Sequence, residues 1–171
     1  MQPYFSIIIP MFNRERFIGR ALDSCLNQDF ADFEIVVVDD GSTDNSVEAA
    51  SRYDDHRIKL FKHGKNLGIG PARNTCVDNA RGKWLVVLDS DNELMSGSLK
   101  HIYDDTMNLD ETIKRIVYLL KLDNGEESPD PRLEEEIWNY AEYIKWSANH
   151  PRSTDFFNVI KAETFNKIKC Y

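Results

Sequence analysis

Two aspartates one residue apart, Asp89 and Asp91, follow the apolar run Trp84 to Leu88 in "GKWLVVLDSDNELM". Carboxylates so close repel each other unless a cation or a proton lies between them. Their oxygens, with water and a diphosphate, can complete the shell of Mg2+ or Mn2+, and such an ion acts as a Lewis acid on a departing diphosphate. An isolated Asp-x-Asp is a common pattern, equally at home in a solvated loop. A second acidic pair, Asp39 and Asp40, lies in "VVVDDGSTD". There a carboxylate can accept a ring N–H or a sugar hydroxyl, or simply cap the next turn or helix, while Gly41 lets the chain bend sharply. The third feature is "NLGIGPARN", residues 66–74. Its glycines allow close backbone approach, Pro71 suits the first turn of a helix, and Arg73 and Asn74 fall near the positive end of the helix dipole. Arg73 can meet a phosphate or a base, or pair with a strand-end aspartate.

These residues need elements to position them, and the first half of the chain supplies a regular alternation. Apolar, β-rich runs at 4–12, 33–40 and 83–89 predict strands, as does the alternating stretch 57–63. Continuous β-branched runs such as "FEIVVVD" suit strands covered on both faces. Between them, 14–28 spaces Phe17, Ile18, Ala21, Leu22, Cys25 and Leu26 for one face of a helix, 42–53 opens with helix-capping residues, and 70–81 is helical. Strand–helix repeated three times and then a fourth strand predicts an α/β fold: a mostly parallel central sheet with helices on both faces and right-handed crossovers. Ligands in such sheets bind beyond the carboxyl ends of the strands. Pro10 to Asn13, Asp39 to Ser42 and Asp89 to Asn92 all fall at those ends. Farther on, the pattern predicts a helix at 96–108, a strand at 114–122, a polar turn region at 123–132, a helix at 133–146, a strand at 154–161 and a short terminal helix. Residues 1–110 form the ligand-binding half on this reading, and 111–171 an incomplete second portion of the same domain.

Composition narrows the chemistry. The 171 residues carry 21 basic and 29 acidic side chains, a formal charge of -8, which argues against a nucleic-acid partner because phosphate-tracking surfaces are basic. No run approaches the roughly 18 to 20 apolar residues that cross a bilayer, and the short apolar start has no basic leader. Cys25, Cys76 and Cys170 are far apart with no Cys-x-x-Cys, as expected of reduced, cytoplasmic thiols buried as small apolar residues.

Taken in order, "IIIPMFN", "VVVDDGSTD", "NLGIGPARN" and "WLVVLDSDN" resemble family-2 glycosyltransferases of the GT-A fold, whose common forms are IPxYN, VDDGSxD, NxGxxxARN and a DxD of the DADD type. The resemblance is strong over residues 5 to 100 and continues weakly through "FFNVIKAETFNKI", similar to the family's late strand and helix near the acceptor site. It implies a nucleotide-sugar donor, most often a UDP-sugar. Pro10 with the following turn and Asn13 would line the nucleoside pocket, and Asp40 would hold the base. Arg73 would sit beside base or phosphate, and Asp89 near the ribose or donor sugar. Asp91 would bind a divalent cation, Mn2+ or Mg2+, bridging the diphosphate. A glycan or lipid-linked acceptor, a role in envelope or capsule polysaccharide synthesis, and a cytoplasmic site, at the inner membrane face in a full-length protein, are family-level expectations; acceptor identity and oligomeric state are left open.

Two departures qualify the resemblance. Phe12 keeps the ring of the usual Tyr, but Asn92 replaces the last acid of DADD and removes one charge beside the metal. Inverting members also need a carboxylate base, in an ED-type motif beyond the late strand. No "ED" follows "TFNKIKCY", and Glu134, Glu135, Glu136 and Glu163 do not match its place, so no catalytic base is assigned. The expectation is a piece of a longer enzyme, or a short homologue without its base, with little or no sugar transfer by the chain itself. A non-catalytic nucleotide-sugar-binding module is the serious alternative. A phospho-acceptor module would want a lysine at a later strand end, where Lys121 is a poor match. A nucleotidyltransferase would want a glycine-rich basic loop in place of "PMFNRERF".

Overall fold

A computed structural model describes residues 2–107, 109–118, 120–121, 127–128 and 157–165. Seven alternating elements form its first half: β1 (Phe5–Met11), α1 (Ile18–Leu26), β2 (Phe33–Asp39), α2 (Ser46–Ser51), β3 (Ile58–Lys62), α3 (Ile69–Asn79) and β4 (Trp84–Val87). Then come α4 (Ser98–Met107), β5 (Arg115–Tyr118), β6 (Leu120–Lys121), β7 (Glu127–Ser128), β8 (Phe157–Lys161) and α5 (Ala162–Phe165). Six strands form one sheet in the order β3-β2-β1-β4-β8-β5. β1 runs parallel to both β2 and β4, and β2 runs parallel to β3. The predicted α/β class therefore holds.

Every residue of β1 and β2 is buried, which explains why their sequences are continuously apolar rather than alternating. Ile8, Val36, Val38 and Leu85 point to one face and pack against Ala72, Cys76 and Val77 of α3. The intervening residues, such as Ile7, Ile9 and Val37, face the other way and are equally buried. The strand order explains the two layers. From β1 to β2 to β3 the chain steps outward in one direction, and from β3 it returns past β1 to β4. With right-handed crossovers, α1 and α2 must lie on one face and α3 on the other. The reversal falls between β1 and β4, where a ligand crevice is expected beyond the carboxyl ends. Cys25 and Cys76 are free and buried as expected, and burial pushes both thiols up to about 12.

At the amino ends of the strands a single carboxylate ties four of them together. Glu34, buried on β2, accepts Ser6 Oγ from β1 at 2.7 Å, Lys59 Nζ from β3 at 2.6 Å and the Arg81 backbone N–H at 2.6 Å. The Arg81 guanidinium adds contacts at 3.2 and 3.3 Å. Ser6 Oγ in turn accepts the Gly82 N–H at 2.7 Å, just before β4. A Cβ at Gly82 would come within 2.4 Å of the Ser6 nitrogen, so only glycine lets the chain pass this close.

The second portion differs from its prediction. By compactness the chain divides into two units, Met1–Arg115 with Val159–Tyr171, and Ile116–Asn158. The single strand predicted at 114–122 is two, since Leu120 and Lys121 pair antiparallel with Ser128 and Glu127, inside the stretch expected to be a polar turn. The helix predicted at 133–146 lies outside the described residues. Among the described residues no helix is long and apolar enough to cross a membrane.

Burial alone would raise the Glu34 carboxyl, but hydrogen bonds from Lys59, Ser6 and Arg81 outweigh it and hold it below its ordinary 4.5. A carboxyl depressed on folding stabilises the fold above its ordinary value and loses that contribution as pH falls through the depressed one. Replacing Glu34 with Gln should therefore lower stability at pH 7 by about 2 kcal/mol, the scale of hydrogen bonds to a charged group. The deficit should shrink as the pH drops well below 4.5, where the parent carboxyl is itself protonated. Urea melts at both pH values test this, and an equal deficit at the two would refute it.

Candidate functional site

The β1 and β4 ladders part at Pro10. Leu88 N donates to Ile8 O at 3.1 Å, so the polar groups of Ile8, and two residues on those of residue 10, face β4. Proline has no N–H to offer there, and the paired register of the two strands ends at Ile8 and Val87. On its other side β1 continues to Met11, whose carbonyl accepts Asp40 N at 2.7 Å. The β1–β4 ladder thus ends here while β1 and β2 stay joined, at the strand-order reversal where a ligand crevice is expected. Pro10 itself is buried, a wall of the strand rather than an exposed contact.

Beyond β1 the chain turns at Asn13, the one described non-glycine residue with positive φ, at 52°. Asparagine tolerates that left-handed conformation. Its backbone N–H donates to Ser42 Oγ at 2.9 Å, and its Oδ1 accepts Thr43 N at 2.9 Å. Arg14 N donates to Ser46 Oγ at 2.6 Å, and Glu15 Oε2 accepts Asn45 N at 3.1 Å. The loops after β1 and β2 are therefore laced into one rim. This lacing also shortens the helix predicted at 42–53. Ser42 N binds the Asp39 carboxylate and Ser46 binds Asp44, so residues 42–45 form turns and α2 begins at Ser46. Asp39 takes the turn-capping role that its residue type allowed.

Asp40 is only 3% exposed. Its Oδ1 accepts His63 Nδ1 at 2.7 Å and Leu67 N at 3.0 Å, and its Oδ2 accepts Gly68 N at 2.8 Å. Burial pushes this carboxyl up, but the bonds from His63, Leu67 and Gly68 prevail and hold it below its ordinary 3.8. His63 Nε2 lies 2.9 Å from Thr75 Oγ1 on α3. The carboxylate therefore braces the 64–68 loop and the start of α3 from beneath. Gly41, at φ 75°, lies under the same loop, where a Cβ would meet the Lys65 carbonyl carbon at 2.5 Å. Pattern alone does not point to His63 and Thr75, since an isolated histidine at the end of an alternating strand carries no signal of its partners.

Across the crevice stand Asp89 and Asp91, 52% and 44% exposed as side chains. Each faces an arginine. Arg73, in the second turn of α3, places NH2 3.2 Å from Asp89 Oδ1, and its Nε is buried with no hydrogen-bond partner. Arg14 places Nε 3.3 Å from Asp91 Oδ2. The loop carrying these acids is pinned to α1, because Ser24 Oγ accepts Leu94 N at 3.0 Å and Gln28 bonds both Met95 O at 2.9 Å and Leu99 N at 3.1 Å. Among the described residues no group of three or more acidic, histidine or cysteine side chains could hold a metal by itself. The donor chemistry still fits a hard divalent cation: solvent-accessible carboxylate oxygens on one side, leaving the rest of the shell to water and phosphate. The structure thus brings Arg73 to Asp89 and joins Asn13 to the rim, and it turns Asp40 inward.

The Asp40 brace has a direct consequence. Asp40→Asn presents an N–H2 group to backbone donors that need an acceptor, so stability should fall by about 2–4 kcal/mol. Thermal or urea unfolding measures it, and a change under about 0.5 kcal/mol, the level of an ordinary surface substitution, would disprove the brace.

Comparison with known proteins matches this arrangement to one family. The model of "Glycosyl transferase family 2" matches residues 6–168. An uncharacterized glycosyltransferase of Haemophilus influenzae is 38% identical over 100 residues, 57% of this chain and 40% of that protein. The GalNAc(5)-diNAcBac-PP-undecaprenol beta-1,3-glucosyltransferase of Campylobacter jejuni is 44% identical over 101 residues, 57% of this chain and 32% of that protein. The chain thus spans about a third to two fifths of the length of these relatives. Among solved structures, S. aureus TarS 1–349 in complex with UDP-GlcNAc superposes with a TM-score of 0.79 at 25% identity, covering 95% of this chain and 46% of that one. A mannosyltransferase of Pyrobaculum calidifontis, solved with GDP-Man and Mn2+, shares the fold with a TM-score of 0.71 at 20% identity, covering all of this chain and 48% of that one. With the switch-point crevice, the strand-end acids and the family match all in agreement, the chain belongs to glycosyl transferase family 2.

Proposed function

We propose that this chain binds a nucleotide-diphosphate sugar, UDP-linked by its likeness to TarS, in the crevice between β1 and β4. In the whole enzyme it then supports transfer of the sugar, with inversion, to a glycan or lipid-linked acceptor. The observation that carries the reading is the opposed pair of bridges, Arg14 to Asp91 and Arg73 to Asp89, across a crevice that Pro10 keeps open. Two cations and two anions in half-exposed positions form a site that can exchange internal partners for the charges of a diphosphate and a metal.

Each residue has a task within this reading. Pro10 and the Asn13 turn form the nucleoside side of the crevice. Asp40 acts on the base through the 64–68 loop that it supports, since its own oxygens already have three donors. Arg73 offers the exposed end of its guanidinium to base or phosphate, and Asp89 is then free for the ribose or donor sugar. Asp91 would hold Mn2+ or Mg2+, whose chemistry when bound is to offset charge on the departing diphosphate. The attacking hydroxyl needs a carboxylate base, which is unassigned in this chain. A nucleotide-sugar-binding module without that base would use the same residues, and single-turnover transfer from a radiolabelled UDP-sugar by the whole protein that carries this chain separates the two readings.

The donor half of the proposal predicts metal-linked binding. Calorimetry of UDP should show affinity higher by about tenfold or more with Mn2+ present, equivalent to about 1.4 kcal/mol. Asp91→Ala should abolish that gain while leaving metal-free binding near the parent value. Equal UDP binding with and without Mn2+ in the parent, or a full gain in the variant, would reject the assignment of Asp91.

A further inference from the structure

Arg14 belongs to none of the four motifs, yet both its backbone and its guanidinium are anchored at the rim. Its backbone N–H donates to Ser46 Oγ on the neighbouring loop. Its NH1 donates to two carbonyls of its own turn, Phe12 O at 3.3 Å and Asn13 O at 3.2 Å. That curl leaves Nε facing Asp91 at 3.3 Å, across the point where the strand order reverses. The guanidinium is thus held by the β1 side and merely touches the β4 side.

The role of Arg14 rests on the reading of Asp91 as the metal ligand. A guanidinium keeps its charge at any accessible pH, so Arg14 and a divalent cation compete for the same carboxylate. The pair is half-exposed, which makes it weak and reversible. When the contact to Asp91 opens, the two carbonyl anchors keep the guanidinium beside the crevice, in reach of an anion entering it. We propose that Arg14 is a positioning residue that stands in for the metal: it neutralises and orients Asp91 while the site is empty, and yields that carboxylate to the cation. It then donates to the diphosphate of the nucleotide. Metal and nucleotide become linked through one side chain, since each frees a partner that the other needs. Such linkage is reciprocal, so it shows in either ligand's affinity.

The test measures both ligands separately in the parent, Arg14→Gln, Arg14→Lys and Asp91→Asn proteins. Mn2+ binding without nucleotide is read from the free-ion electron paramagnetic resonance signal, and UDP binding at saturating Mn2+ from calorimetry. Arg14→Gln should bind Mn2+ alone more tightly, by up to about fivefold, the scale of one half-exposed ion pair. The same variant should bind UDP more weakly in the presence of Mn2+, by about tenfold or more, for loss of a charged hydrogen bond. Arg14→Lys keeps a competing charge, so its Mn2+ affinity should stay near the parent's while UDP binding weakens for want of the fork. An unchanged or weaker Mn2+ affinity in Arg14→Gln, with Asp91→Asn still abolishing Mn2+ binding, overturns the role of Arg14 and leaves the metal assignment standing. Parent-like Mn2+ affinity in Asp91→Asn removes the metal assignment and this role with it.

Discussion

A carboxylate buried at the carboxyl end of a strand must be given donors, and Asp40 takes three, from two places. His63 comes from the end of the next strand, and the Leu67 and Gly68 amides come from the loop that leads into α3. Water is excluded there, so each of these bonds is worth more than on the surface and each missing one would cost more. Because the donors lie 23 to 28 positions beyond Asp40, satisfying one acid fixes where the 64–68 loop lies and where α3 starts. The position of Arg73 is set in turn, and with it the side of the crevice that Asp89 faces. The glycine beside Asp40 serves the same end, since any side chain at Gly41 would strike the loop that the acid holds.

The two ends of the sheet use charge in opposite ways. At the amino ends, Glu34 is buried and satisfied by Ser6, Lys59 and Arg81, so its charge is committed to holding four strands in register. At the carboxyl ends, Asp89 and Asp91 are half-exposed, and each has one arginine at the outer limit of good contact. Exposed pairs of that kind cost little to open. A site that must accept a charged ligand benefits from this arrangement, because its groups are oriented in advance and still exchangeable. Pro10 complements it by denying the β1–β4 ladder the donor that would have closed the crevice.

This chain spans less than half the length of each of the relatives compared. The acids, arginines and rim loops of the crevice all fall between Pro10 and Asp91, within the region where family resemblance is strongest.

The periodicity of residues 4–89 was enough to determine the order of strands and helices, because continuous β-branched runs bury both faces and helical spacing buries one. It also placed Pro10, Asn13, Asp40, Asp89 and Asp91 at strand ends, where the apolar runs stop, and Arg73 near the start of a helix. Less of the second portion was legible. The split of the 114–122 run into β5 and β6 depends on a backbone pairing with Glu127 and Ser128, which hydrophobic spacing does not encode. The pairing of Arg73 with a strand-end aspartate was among the sequence's alternatives, but the partners of Asp40 and Asp91 were beyond reach. Whether Asp40 faces ligand or protein depends on His63 and on two amides brought to it by the loop before α3, and Arg14 meets Asp91 only because the sheet sets β1 beside β4. Local sequence determined which residues reach the rim, because burial and backbone period are local properties. Tertiary structure decided which charges meet there, because the distance between groups 77 positions apart is set by strand order alone.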